Sequence, residues 1–156
     1  MDRKQVIKIL EYYPQIDGEI KFYQKLIRDV ELEYYTQEMN AQQDGQPKAR
    51  NNITNITEKL AINVPEGVKE DLEIYHKQID GLHNLKVEIM KEMSCLKLLQ
   101  KLIIFDKYVN GFKWEQVAVR NHYSARQCKN IRNDAVDKLS KRFAKNRFIL
   151  EYDLPE

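Results

Sequence analysis

Arg126, Gln127, Lys129, Asn130, Arg132 and Asn133 crowd into one short part of the stretch SARQCKNIRNDAVDKL, residues 124–139. Arginine and lysine bind phosphate oxygens. Arginine can also grip O6 and N7 of guanine with paired hydrogen bonds, and asparagine or glutamine can do the same for N6 and N7 of adenine. Between these residues fall Cys128, Ile131, Ala135 and Leu139, at spacings of three and four, the period of a helix with one apolar face. Such a helix is apolar below and cationic and amide-rich above, and so suits a DNA groove. A merely solvated helix more often carries glutamate and lysine outward, so the arginine and amide content separates the two readings.

Other chemistries are weaker. Glu73, His76, Asp80 and His83 recur at three, four and three, and E-x-x-H occurs in helical metal sites. No second E-x-x-H helix accompanies it, and polar residues beside an apolar seam ordinarily just flank a helix interface. Cys128 with His122 could serve as nucleophile and base, but no third group is placed to orient the base. Glycine-rich phosphate loops, paired-carboxylate motifs and nuclease signatures are missing. The residues point to no enzyme, no catalytic residue, no cofactor and no metal.

A recognition helix must be started, oriented and held. Ser124 is suited to cap it. Upstream, LKLLQKLIIFDKYVN (96–110) predicts an apolar helix using Leu98, Leu99, Leu102, Ile103, Phe105 and Tyr108, with Gly111 ending it in a left-handed conformation. Trp114 to Val119 predicts a second, short helix with Trp114, Val117 and Ala118 inward, and Asn121-His122-Tyr123 turns the chain. Short helices, a tight turn and an N-capped polar helix are the parts of a helix-turn-helix.

The run YVNGFKWEQVAVRNHYSARQCKNIRNDAVDKL resembles the C-terminal helix-turn-helix of sigma factors, region 4. Over most of the chain the order of elements is similar to that of the RinA/ArpU group of phage late-gene transcriptional regulators. The resemblance implies that Ser124 caps the recognition helix and that Ala125, Arg126, Gln127, Lys129, Asn130 and Asn133 line its DNA-facing side. Cys128 stands where that pattern has an aliphatic residue. Lys138, Lys141, Arg142, Lys145 and Arg147 would continue the positive charge toward the phosphate backbone.

Composition agrees with an all-α fold: 32% of the 156 residues are charged, while there are 5 glycines and 4 prolines. The net charge is +2, yet residues 1–95 hold 13 Lys/Arg against 17 Asp/Glu, and residues 96–147 hold 13 against 4. The positive charge therefore gathers in one module. The expected organisation is a helical arm with a long heptad-patterned helix over 1–95, the helix-turn-helix domain over 96–147 and an acidic tail over 148–156.

Within the arm, residues 2–13 predict a short helix with Val6, Ile7 and Leu10 on one side, closed by Pro14. Ile16, Ile20, Tyr23, Ile27, Val30 and Tyr34 form a heptad seam. A loop is expected over about 36–54, then a short helix capped by Asn55 with Glu58, ending before Val64-Pro65. The two NIT sequons at 52–57 read as helix-start chemistry. From Pro65 a long helix carries Val68, Leu72, Tyr75, Ile79, Leu82, Ile89, Met93 and Leu96, interrupted at Lys86.

Two such seams can close as a hairpin in one chain or as a coiled coil between two, and the second is expected here: a homodimer through residues 66–96 would supply a second half-site. Two cysteines without C-x-x-C spacing, no signal peptide and no long apolar run predict a reduced, cytoplasmic protein of a bacterial host cell that does not enter a membrane. The expected partners are double-stranded DNA and, by the sigma resemblance, RNA polymerase. Alternatives are a DNA-packaging component such as a small terminase subunit, and a helical interaction module that does not bind DNA.

Overall fold

The computed structural model describes residues 1–41 and 64–155. The predicted Asn55 helix, most of the predicted loop and both sequons lie outside the described residues. The fold is all-α. In chain order the helices are α1 (Arg3–Tyr12), α2 (Ile16–Ala41), α3 (Glu66–Met93), α4 (Leu98–Ile104), α5 (Trp114–Asn121), α6 (Ala125–Phe143) and α7 (Arg147–Glu151). No helix among the described residues is long and apolar enough to cross a membrane.

Helix boundaries follow local chemistry, with two corrections. Pro14 ends α1, but the chain passes through a single 3-10 turn, Tyr13–Gln15, and re-enters helix at Ile16. Proline lacks the N–H that an α-helical turn would use, so the tighter turn absorbs it. Helix α2 runs to Ala41, past the predicted loop start at 36. The sequence TQEMNA is polar, but nothing in it stops a helix before Gly45-Gln-Pro47. The predicted acidic tail begins with helix α7, capped by Asn146, whose Oδ1 accepts the Ile149 N–H at 3.2 Å.

The chain divides into two compact units, one of residues 1–18 and 82–156 and the other of residues 19–81. Residues 1–18 therefore belong with the basic module, and the boundary falls at Gly18 and Leu82 where residue 95 was expected. In the second unit the rings of Tyr23 and Tyr75 meet at 6.0 Å, so the α2 seam faces the α3 seam within one chain. Leu72, Tyr75 and Ile79 are half-buried there. On α3 the interruption at Lys86 is filled by Leu85, which is buried with Leu82, Ile89 and Met93.

The first unit holds the larger core. Helix α6 is its axis: α1, α4, α5 and α7 all pack against it. Val6, Ile9, Leu10 and Tyr12 form the buried side of α1, so Ile9 and Tyr12 take the place expected for Ile7. Ile103, Val117 and Cys128 form a fully buried cluster with Leu99, Phe112, Trp114, Ala118 and Ile131 against it. Further along α6, Ala135, Val136, Leu139 and Phe143 are buried.

Two expected core residues of α4 are outside: Leu98 is 73% and Leu102 47% exposed, while Ile103 and Ile104 are buried. After Ile104 the helix loosens into a π segment, Phe105–Val109, in which the Asn110 N–H reaches back to Phe105 O at 2.8 Å. Gly111 then takes the left-handed conformation expected of it, φ 70°.

Candidate nucleic-acid interface

Three residues join α5 to α6. His122 sits at φ 59°, ψ 34° and donates its N–H to the Ala118 carbonyl, closing α5. Histidine is one of the few side chains that tolerate this left-handed region. A His122→Val chain, β-branched at the same φ, should lose about 1–2 kcal/mol, measured by urea unfolding.

Ser124 caps α6 as expected. Its Oγ accepts the Gln127 N–H at 3.2 Å, and Gln127 Oε1 accepts the Ser124 N–H at 3.0 Å. Gln127 is thus half of a capping box, which leaves its amide nitrogen free to face outward. Cys128 lies fully buried on the core side with its thiol pushed up by burial, and His122 is exposed. That pair is a core residue and a turn residue. Glu73, His76, Asp80 and His83 are all exposed, and no group of three or more metal-ligating side chains is brought together among the described residues.

The outward stripe of α6 runs through Arg126, Asn130, Asn133, Asp137 and Lys141. Arg126, Lys129, Asn130 and Lys141 are exposed, and Ala125 and Asn133 are half-buried. Among the described residues Arg126, Asn130 and Asn133 make no hydrogen bond or ion pair. Three of the other predicted cations, Lys138, Arg142 and Arg147, are engaged within the chain. Lys138 Nζ donates to Gln100 Oε1 at 3.3 Å, tying α6 to α4. Arg142 Nε donates to Glu92 Oε2 at 2.7 Å, and Asn146 Nδ2 donates to Glu92 Oε1 at 3.0 Å. Glu92 is a buried carboxylate that α3 brings to the end of α6. Arg147 pairs with Glu151 at 2.6 Å, while Lys145 is exposed.

Two acids lie on or beside this stripe: Asp134, which is exposed, and Asp137, which is neutralised from the far end of the chain. Arg3 Nε and Nη2 donate to the two carboxylate oxygens of Asp137, each at 2.5 Å, and Ser140 Oγ donates to the Met1 carbonyl. Without Arg3, the Asp137 carboxylate would add to that of Asp134 and repel phosphate. The Arg3 hydrogen bond, helped by its charge, holds the Asp137 carboxyl below its ordinary value of 3.8. A depressed carboxyl contributes stability that is present above the ordinary value and is lost as pH falls through the depressed one. Both partners are exposed, so the effect is small. The difference in Tm between the unmodified and Asp137→Asn chains should accordingly close on acidification below pH 3.8; a gap that persists in acid would assign it to packing.

A second basic cluster surrounds Trp114. Lys107, Lys129 and Arg132 place their charges 5.4, 5.9 and 5.4 Å from its ring centroid. Lys107 and Arg132 were not among the expected interface residues. Arg132 was visible as part of the basic run, but Lys107 joins it through tertiary packing alone. Nearby, Asp106 gathers the donors of the turn: Asn121 Nδ2 at 2.9 Å, Arg120 Nε at 3.3 Å and Asn110 Nδ2 at 3.3 Å. This carboxylate fixes the end of α5 against the π segment.

Comparison of the chain with protein-family models, with curated proteins and with solved structures returns no match.

Proposed function

We propose that this chain is a sequence-specific double-stranded-DNA-binding transcriptional regulator, in which α5, the His122–Ser124 turn and α6 act as a helix-turn-helix and α6 enters the major groove. One observation carries the reading. Arg3, Arg120, Arg142 and Arg147 each meet a carboxylate. Arg126 and the amides of Asn130 and Asn133, on the outward stripe of α6, meet nothing among the described residues. Arginine and asparagine held ready on a capped helix, in a module that concentrates the positive charge, suit base edges and phosphates better than water.

The residues that resemble sigma region 4 and the RinA/ArpU group narrow the role to a phage or prophage late-gene activator, acting in the cytoplasm of a bacterial host with RNA polymerase as a partner. Helix α3 is half-buried along Leu72, Tyr75 and Ile79, and a second copy pairing through residues 66–96 would cover the rest and present a second half-site. Replacing Leu72 and Ile79 with glutamate should then halve the mass seen in sedimentation at micromolar concentration. Monomer mass for the unmodified chain rejects the dimer and leaves the seam to the α2–α3 pair.

Selection of bound fragments from random duplex DNA, followed by footprinting, tests the function. A recovered motif is expected. Salt-sensitive binding without a motif, by a ring of many copies, would favour a packaging component. No salt-dependent affinity at all would leave a protein-interaction module.

A further inference from the structure

Trp114 opens α5 among three cations, none of which meets an acid among the described residues. The negative face of an indole attracts ammonium and guanidinium groups, but Lys107, Lys129 and Arg132, each within 6 Å of the same ring, also repel one another. Four other cations of the unit are relieved by acids: Arg3 by Asp137, Arg120 by Asp106, Arg142 by Glu92 and Lys86 by Asp17. Around Trp114, among the described residues, no carboxylate lies within ion-pair distance of any of the three. Lys107 Nζ donates to the Phe112 carbonyl at 3.2 Å. The Arg132 guanidinium hydrogen-bonds to the Tyr108 side chain, and its Nε is buried without a partner.

We propose that Lys107, Lys129 and Arg132 form a binding site for one phosphodiester of the DNA backbone, on the flank of α6 beside its outward stripe. This rests on the DNA-binding reading and adds to it the contact that sets register. A phosphodiester supplies the negative charge that the three cations lack. Two of those cations belong to α6 and the third to the π segment before α5, so a phosphate held there fixes how far α6 can slide or roll in the groove. Phosphate contacts position a protein, while base contacts specify the sequence. Lys129 thereby moves from the reading stripe to the backbone.

The test is the salt dependence of binding to a random-sequence duplex. Replacing Lys107 and Lys129 with glutamine should reduce the slope of log K against log salt by about 0.9 for the one phosphate lost, which at ~0.1 M salt is an affinity loss of about 8-fold. Lys129→Gln alone, at an exposed position, should lower the slope in the same direction without disturbing the Lys107 bond to Phe112. Lys129→Arg should retain it, and Lys25→Gln, a charge-matched change on α2, should leave it alone. An unchanged slope in the folded double variant overturns the site and leaves the DNA reading standing; no salt-dependent binding by the unmodified chain overturns both. Inorganic phosphate, titrated against the emission of Trp114, separates the sources. Saturable quenching by phosphate, with an unchanged DNA slope, would make this a free-anion site and reject the backbone assignment.

Discussion

A Val117→Asp chain should lose on the order of 4 kcal/mol of folding stability, while Val119→Asp, two residues further along the same helix, should stay within about 0.5 kcal/mol of the unmodified chain. Val117 is fully buried against Ile103 and Cys128, and Val119 is 76% exposed. The two positions share residue type and helix. They differ in what surrounds them. A carboxylate at 117 has no basic residue in that cluster to pair with, so it must either be protonated at a cost or drag water into the interface between α5 and α6. Domain stabilities are about 5–15 kcal/mol in total, so the first change removes a large share of what keeps α5 on α6. Urea unfolding followed by far-ultraviolet circular dichroism reads both variants. Equal stabilities would mean that the inward face of α5 is misassigned, and with it the orientation of α6.

How much of this was legible in the residues depends on whether the cause was local. Ser124 was readable as a cap because its partner, Gln127, lies one turn away, and Gly111 because a left-handed residue after a helix is a local demand. The seams of α2 and α3 were readable because their period is that of the helix itself. Periodicity fails where apolar residues run around a helix. In LKLLQKLIIF they occupy more than one face, and the pattern cannot say that α6 will take Ile103 and leave Leu98 to solvent.

Long-range placement left no trace at all. Arg3 and Asp137 are separated by 134 positions, and no spacing rule connects them. The same holds for Glu92 with Arg142. Each of these pairings changes what a charged residue of the basic module is free to do. A run of positive charge was legible; which of its members face acids and which face nothing was not. The functional reading gained most from that distinction, since it removed Arg142 and Lys138 from the free set and left Arg126 and Asn130 in it.

That free set carries the second large effect. The Arg126→Ala, Asn130→Ala double variant should lose most of its preference for the selected site over random DNA, because each base-edge contact is worth about 1–3 kcal/mol of discrimination, roughly a 5- to 150-fold ratio per residue. Both side chains are exposed one helical turn apart on the outward stripe. Neither is used by the fold, so their removal should leave the melting curve in place. Lys141→Ala, one turn beyond Asp137 on the same stripe, should instead weaken the selected and random duplexes by the same factor, as loss of a phosphate contact does. Measuring both affinities at one salt concentration is essential, because the electrostatic part changes with salt and the ratio is the quantity of interest. The Asp137–Arg3 pair makes the prediction sharper: Arg3→Ala leaves a carboxylate free in the stripe and should lower both affinities without narrowing their ratio. If the Arg126 and Asn130 changes behave like Lys141→Ala, lowering both affinities together, then the stripe holds phosphates and the bases are read from some other surface.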